Sequence, residues 1–315
     1  MKRLLVVTLV ALTGCGGLVD EADDFRNASP SRQGIDIKVP SSGQALESSE
    51  VGQTQQALQG DRANTYTITR GATVVVNTGT AAWLKICEAI VSYPPTTLGE
   101  TEAVWGPWTD ALSPNTYKFT VTKVATGYDY VLQGKDKTRD DSAYLKLISG
   151  HHEPGAAAHQ GNGTFKMDWD AAQQLPEHAA DTIGTAEFAY SRNDQLDVTV
   201  DVQFRQVNDN DHPGQRVDAD YAFEQANGGD GAFEFKVTNA QSQRWTIKSR
   251  WHRDGSGRAD VNAYNSPSDT TPMGTINECW GATFLSTYYK ESWAGGQTWG
   301  EEPSCAFATA EYSTL

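Results

Sequence analysis

Three histidines in one short stretch have the residue types and spacing that most clearly offer chemistry. His151, His152 and His159 lie in the sequence SGHHEPGAAAHQGNG, and three imidazoles on one loop are able to bind zinc or copper. They do not form the zinc-protease motif H-E-x-x-H, because its second histidine would fall at Ala156 and Pro154 would break the required helix. We therefore expect an exposed, metal-free loop, and a metal-dependent enzyme that uses these three histidines is the alternative.

The acidic residues offer a second set of ligands without a recognisable motif. Asn208 to Asp211, together with Asp218 and Asp220, supply oxygen atoms of the kind that calcium prefers. The EF-hand pattern fails, because Pro213 occupies a ligand position and Asp220 stands where the closing glutamate belongs. Neither a G-x-S-x-G sequence, a P-loop nor a G-x-G-x-x-G sequence occurs. The sequence favours a polar turn here and a non-catalytic protein without a cofactor.

Tryptophan residues suggest binding of a ligand rather than catalysis. Seven of them could line a groove for a sugar or a lipid: Trp105, Trp108, Trp245, Trp251, Trp280, Trp293 and Trp299. Trp245 and Trp251 alternate inward with Ile247 and are expected in the core. Trp293 and Trp299 lie in a glycine-rich segment near Cys305, and we predict that these two form an exposed ligand platform.

The cysteines predict one structural disulfide and one buried thiol. Cys279 and Cys305 both lie in the loop-rich C-terminal end, and we expect them to pair in an oxidising compartment. Cys87 lies in a segment with apolar residues at helical spacing, which predicts a helix near 80–92 that ends before Pro94. A buried and unreactive thiol is expected at Cys87.

Strict alternation of apolar and polar residues dominates the chain after residue 116. It is clearest in LDVTVDVQF, residues 196–204, and predicts strands with one buried face. About ten such strands, joined by short turns, predict a mostly β fold: a wide antiparallel up-and-down meander curled into a barrel or half-barrel. A short helix is predicted after Asp168, ending before Pro176.

Large aromatic rings should fill the concave face of this sheet. They are Tyr117, Phe119, Tyr128, Tyr130, Phe204, Tyr221, Phe223, Phe233, Phe235, Trp245 and Trp251. Each ring buries roughly 150–250 Å², which favours a solid interior. If the helix near 80–92 instead stands off the sheet, an apolar cavity opens and a hydrophobic ligand becomes the expectation.

The N-terminus predicts export and a lipid anchor. Lys2 and Arg3 precede a short apolar run, which is typical of a signal peptide over residues 1–14. The following sequence, LTGC, resembles the lipobox of bacterial lipoproteins, and this resemblance implies cleavage before Cys15 and lipidation of its thiol. Gly16 in place of aspartate implies the outer membrane. An ordinary signal peptide with an incidental cysteine is the alternative.

Composition divides the remaining chain into a tether and a domain. Residues 15–64 are rich in Ser, Gln, Gly and acidic residues, which predicts a flexible tether, and residues 65–315 form the predicted β domain. Removal of Lys2 and Arg3 with the signal leaves 23 basic against 40 acidic residues. This acidity argues against nucleic acid as a partner, because phosphates require a basic surface.

The segments WGPW, SGHH, RADV and ECW give the chain after residue 100 a pattern that resembles uncharacterised envelope lipoproteins of bacteria. The resemblance implies a location in the cell envelope and brings no known activity. The expected partners are the membrane, through the lipid on Cys15, and a small apolar ligand, a glycan or an envelope protein. The oligomeric state is left open by the sequence.

Overall fold

The fold is a single antiparallel sheet that curls around one long helix. A computed structural model describes residues 23–26, 28, 35–41, 59–109, 112–157, 160–177, 183–208, 214–239 and 241–315, with the backbone alone at 23, 75 and 78–83. The helices are α1 (Asp23–Arg26), α2 (Asn64–Val91) and α3 (Trp169–Ala172). Single turns of 3-10 helix occupy Asp141–Ala143 and Glu302–Ser304.

Fifteen strands follow one another across the sheet in the order of the sequence. They are β1 (Thr97–Leu98), β2 (Glu102–Trp108), β3 (Asn115–Val124), β4 (Gly127–Asp136), β5 (Leu145–Pro154), β6 (Gly161–Asp168), β7 (Thr185–Arg192), β8 (Val198–Asn208), β9 (Arg216–Gln225), β10 (Gly231–Thr238), β11 (Arg244–Trp251), β12 (Gly257–Tyr264), β13 (Gly274–Trp280), β14 (Ser286–Glu291) and β15 (Thr298–Trp299).

The predicted meander is confirmed, and its form is the open half-barrel. Every strand pairs antiparallel with the next one along the chain, while β1 and β15 each have one neighbour and do not meet. The strand number exceeds the predicted ten, partly because the sheet ends in two-residue strands at both edges. A curled sheet of this width leaves an inner face that another element must cover.

Helix α2 covers the inner face, and it is much longer than the sequence suggests. It begins at Asn64 rather than near residue 80 and runs for 28 residues. Its first half is rich in threonine and β-branched residues, which favour strands. Burial overrides that preference: Thr69 and Thr73 are buried and donate to the carbonyls four residues earlier, each at 2.8 Å. No described helix is both long and apolar enough to cross a membrane.

The aromatic interior is confirmed. The rings predicted to point inward lie in the core clusters or pack directly against them. Phe165 and Phe188 stack with centroids 4.3 Å apart, and Tyr221 packs on Phe235 at 4.7 Å. Leu84 and Val91 of α2 are buried in the same core. The interior of the half-barrel is therefore mostly solid.

The predicted tether packs on the domain wherever the structure describes it. Four of its apolar side chains, those of Phe25, Ala28, Ile35 and Ile37, are buried in the main core. The Asn77 side chain on α2 accepts from the Ile37 amide at 3.1 Å and donates to its carbonyl at 2.8 Å. A free coil over this part of 15–64 is therefore wrong: these few apolar residues suffice to hold it. The signal peptide and Cys15 lie outside the described residues.

The cysteine predictions are confirmed. Cys279 and Cys305 form a disulfide with Cα atoms 5.7 Å apart. Cys87 is free and buried on α2, where desolvation raises the pKa of its thiol to about 12. The thiolate is the reactive form of cysteine, so the Cys87 thiol is held in its unreactive form.

The disulfide holds the C-terminal tail, residues 302–315, against the outer face of the sheet. Arg258 on β12 is fully buried and donates to Asp260 at 2.8 Å, to Glu302 at 2.6 Å and to the Phe307 carbonyl at 3.1 Å. Asp260 also accepts from the Glu311 amide at 3.0 Å. The tail thus covers the last strands with a buried ionic network.

Candidate ligand-binding groove

An apolar groove lies between the C-terminal end of α2 and the inner face of β2 to β5. Its volume is about 700 Å³, within the range of small-molecule sites. Ile86, Ala89 and Ile90 form the helix side, and Trp105 and Trp108 face them from β2. None of the residues that line the groove carries a charge. The arrangement suits an apolar ligand.

The end of α2 packs on the sheet through Val91 and presents Ile86, Ala89 and Ile90 to the groove. The helix ends at Val91, and Pro94 and Pro95 prevent its continuation. The indole nitrogen of Trp105 donates to the Tyr93 carbonyl at 2.8 Å. This bond ties the chain that follows α2 to β2.

The floor of the groove is formed by small or aliphatic residues on β4 and β5. A Cβ atom on Gly134 would lie 3.0 Å from side-chain carbons of both Leu147 and Leu175 and 3.1 Å from the Tyr117 ring. Leu132 completes the floor. Because Gly134 has no side chain, Leu147, Leu175 and Tyr117 can approach the sheet closely at this position. Space remains above them.

Helix α3 forms the far wall, and it confirms the short helix predicted after Asp168. The Asp168 carboxylate caps it by accepting from the Ala171 amide at 2.8 Å. Ala172 and Leu175 line the groove. The Asn115 side chain donates to the Pro176 carbonyl at 2.9 Å and ties the end of this segment to β3.

A second, polar groove lies on the opposite face of β3 to β8, also with a volume of about 700 Å³. It is lined by charged and hydroxyl side chains in directly paired positions, such as Lys166 with Glu187 and Asp129 with His151. Desolvation raises the pKa of the Asp201 carboxyl at one end. The groove mixes both signs of charge, and this surface lacks the apolar character of the inner groove.

The sequence suggests that the three histidines share one loop, but His151 and His152 lie on a strand. His151 and His152 are consecutive residues of β5, so they point to opposite faces of the sheet. The His151 ring nitrogens face two carboxylates, Nδ1 at 2.7 Å from Asp129 and Nε2 at 3.5 Å from Glu153. The hydrogen bond that the His151 ring donates to the Asp129 carboxylate is the main cause of the raised pKa of His151.

His152 instead lies inside the half-barrel, where its Nδ1 is 2.8 Å from the Tyr190 hydroxyl. Burial lowers the pKa of this imidazole. His159 lies outside the described residues. Within the described ranges, no three His, Cys, Asp or Glu side chains are grouped to hold a metal ion. His151 and His152 therefore do not come together as ligands of one metal ion.

The two tryptophans of the predicted platform pack against different strands. Trp293 is partly exposed in the loop before β15, and its ring covers Gly274, at the start of β13. Trp299 stacks on Tyr289 of the neighbouring strand β14 with centroids 4.5 Å apart. The tryptophans that do line a groove are Trp105 and Trp108, which the sequence placed among the candidates without preference.

The acidic cluster near residue 208 forms structural contacts at its described positions. Asp218 accepts from the Gln206 amide at 2.8 Å. Asp220 is paired with Lys236 at 2.6 Å and with Arg205. Residues 209–213 lie outside the described part of the chain. The described carboxylates are therefore used to pair neighbouring strands, in agreement with a polar hairpin rather than a calcium loop.

Fold and groove together define an open antiparallel half-barrel with an uncharged groove at one end of its helix. No protein-family model, no curated protein and no solved structure matches the chain. Sequence reasoning found the helix end and the two tryptophans, while Leu147, Gly134 and Leu175 were missed. The apolar run LKLI before the histidines was the available signal, since its alternation marks a strand with a buried face.

Proposed function

We propose that this protein is a lipid-anchored lipoprotein of the bacterial cell envelope whose half-barrel binds a small apolar ligand without catalysis. The observation that carries the proposal is the uncharged groove beside Ile86 and Trp105. The chain has 65 charged residues among 315, yet none lines this groove. When a ligand covers apolar surface of this kind, the complex is stabilised by about 25 cal/mol for each Å² that is removed from water.

The expected ligand is a single aliphatic chain or a compound of similar width. The groove is bounded by the aromatic rings of Trp105, Trp108 and Tyr117 on one side and by aliphatic side chains on the other. The Trp105 indole N–H is already used by the Tyr93 carbonyl. Polar recognition inside the groove is therefore limited, and affinity must come mainly from apolar contact.

The sequence around Cys15 supports the proposed location in the cell envelope. The short apolar run before LTGC suits a signal peptide, and acyl chains on the new N-terminus would anchor the protein firmly in a membrane. Cys15→Ala is expected to abolish acyl labelling and to move the protein out of the membrane fraction. Unchanged labelling and unchanged fractionation of this variant would contradict the anchor.

Ligand binding is tested with a variant that fills the groove. Ala89 is exposed and lines the groove, so Ala89→Trp places an indole in the volume that the ligand needs. We expect the wild-type protein to bind cis-parinaric acid with enhanced fluorescence and Ala89→Trp to bind it about tenfold more weakly or worse. Native mass spectrometry of the purified wild-type protein checks for a retained ligand.

A matched control uses the same helix and the same introduced residue. Val74 is 49% exposed on α2 and does not line the groove, so Val74→Trp should bind the fatty acid like the wild-type protein. Equal binding by Ala89→Trp and Val74→Trp would contradict the site, and absence of binding by the wild-type protein would contradict the ligand class.

A further inference from the structure

The mouth of the apolar groove has an exposed apolar rim. Ile86 on the helix is 43% exposed, Tyr93 after the helix is 70% exposed, and Leu98 on β1 is 39% exposed. Ile86 and Tyr93 also line the groove, so the apolar surface continues from inside the groove to the outside of the protein. Exposed patches that continue into a binding groove mark sites of contact with a partner or a membrane.

The chain enters the described part of the domain beside this rim. The Arg26 side chain on α1 donates to the Val91 carbonyl at 3.1 Å, at the end of α2. Phe25 on the same short helix packs on Tyr128 with ring centroids 6.0 Å apart. The segment that leads from the N-terminus is thus fixed to the same end of α2 that forms the groove.

Chain length places the predicted anchor close to the mouth. Eight residue steps separate Cys15 from Asp23, and a fully extended chain spans at most about 3.6 Å per residue. A lipid on Cys15 therefore lies within about 29 Å of α1. A free tether of 50 residues would have left the orientation of the domain open, whereas this short connection restricts it to positions near the bilayer.

We infer that the rim formed by Ile86, Tyr93 and Leu98 docks on the membrane surface, so that an aliphatic chain passes between bilayer and groove without crossing water. The inference rests on the proposed function, because it uses both the anchor at Cys15 and the apolar ligand. The contact is apolar rather than ionic. The mature chain is strongly acidic, so a zwitterionic surface is the fitting partner and salt should have little influence.

The test measures the depth of a spin label on the full-length, lipidated protein reconstituted in phosphatidylcholine vesicles. Tyr93→Cys and Leu98→Cys carry the label, and Val74→Cys on the same helix is the matched control. Background labelling is low, since Cys87 is buried and Cys279 is in the disulfide. Labels at 93 and 98 should collide more with oxygen and less with a water-soluble nickel chelate than the label at 74.

A second measurement follows transfer of bound cis-parinaric acid to quencher-containing phosphatidylcholine vesicles. For wild-type protein the rate should rise with vesicle concentration. Leu98→Asp, at a rim residue that does not line the groove, should slow it several-fold while equilibrium binding in solution stays intact. Val74→Asp should transfer like the wild-type protein. If the label at 93 is as accessible to the nickel chelate as the label at 74, or transfer is independent of vesicle concentration, membrane docking is overturned.

Failure of the proposed function gives a different result. Absence of acyl mass on Cys15, or absence of fatty-acid binding in solution, contradicts the proposed function and removes the docking inference with it. An acylated protein that binds the fatty acid but keeps Tyr93 and Leu98 in water contradicts the docking inference alone.

Discussion

The two halves of the sheet differ in how completely their faces are covered. Every one of the eight residues of β12 is buried, because α2 covers its inner face and the C-terminal tail its outer face. In β8, buried residues alternate with exposed ones from Val198 to Gln203. The outer face of β3 to β8 is thus open to solvent and the inner face of β2 to β5 holds a groove, and we call β2–β8 the open half. In contrast, β12 is closed on both faces, and we call β11–β13 the closed half.

This difference separates the part of the molecule that stabilises the fold from the part that holds the groove. In the closed half, Glu278 on β13 points at the start of α2 and accepts from the Thr65 amide and hydroxyl, each at 2.8 Å. It supplies the cap that residue 63 does not provide, since the Ala63 side chain has no acceptor. At the other end of the same helix, Ile86, Ala89 and Ile90 line the groove.

The largest expected effect is obtained by breaking the ionic network of the closed half. Asp260→Ala removes one of the two carboxylates that pair with the buried Arg258, together with the acceptor of the Glu311 amide. Breaking such a buried ion pair costs about 3–5 kcal/mol of the free energy of unfolding. Urea denaturation checks this value. Asp129→Ala in the open half is the control: its side chain is 60% exposed, so its loss should cost at most about 1 kcal/mol. Equal effects of the two changes would erase the contrast between the halves.

Removal of the disulfide tests whether the tail is held by the network or by the covalent bond. The bond joins residues 26 positions apart, and in the chain-entropy model a loop of this length contributes about 3.5 kcal/mol. The double variant Cys279→Ala, Cys305→Ala should lose about that much in urea denaturation while fatty-acid binding in the groove is retained. Loss of binding together with stability would show that the open half depends on the closed one.

A smaller effect on the free energy of unfolding is expected at the N-terminal end of α2, where Glu278 caps the helix. Glu278 is fully buried, and desolvation raises the pKa of its carboxyl above the ordinary 4.5. A raised pKa of an acid means that its contribution to stability is present below pH 4.5 and is lost as the pH rises through the folded-state pKa. Glu278→Gln cannot titrate, so its free energy of unfolding should improve relative to the wild-type protein as the pH rises.

The measurement is urea denaturation of both proteins over a series of pH values from about 4 upward. A difference in the free energy of unfolding that is constant over this series would contradict the raised pKa. Glu278→Ala complements it, because this change leaves the Thr65 amide without an acceptor and should cost about 1–3 kcal/mol.

The sheet was predictable because its signal is local. Alternation along each strand and turn residues between strands determine both the strand faces and the antiparallel order, as residues 196–204 illustrate. The disulfide of Cys279 was predicted from the small number of cysteines and from the expectation of an oxidising compartment. The start of α2 was not predictable, since its threonine-rich first half prefers strands and becomes helical only under burial by the sheet.

The closed outer face and the groove depend on contacts between distant parts of the chain. Arg258 and Asp260 alternate with Ala259 and Val261, a pattern typical of one wet face, yet a tail that begins more than 40 residues later covers them. The groove likewise requires the end of α2, β2 and Leu175 to meet. Periodicity reports which face of a strand is apolar and does not report what covers the other face.

The smallest expected effect is on the pKa values of His151 and His152, which are adjacent in β5 and lie on opposite faces of the open half. On the outer face, the hydrogen bond that His151 donates to the Asp129 carboxylate raises the pKa of His151 above 6.5. On the inner face, burial lowers the pKa of His152 below 6.5. For His151, the stabilisation by Asp129 is fully present below pH 6.5 and is lost as the pH rises through its raised pKa. Its size stays below about 1 kcal/mol, because the pair is solvent-exposed.

NMR titration of the imidazole C–H signals resolves the two histidines directly. His151 should titrate at higher pH than His152, and Asp129→Asn should lower the pKa of His151 toward 6.5 while that of His152 is unchanged. The reverse order would mean that β5 does not divide them between the two faces. The same result would move His152 away from Tyr190 and out of the interior, so this small measurement also tests the register on which the floor of the groove depends.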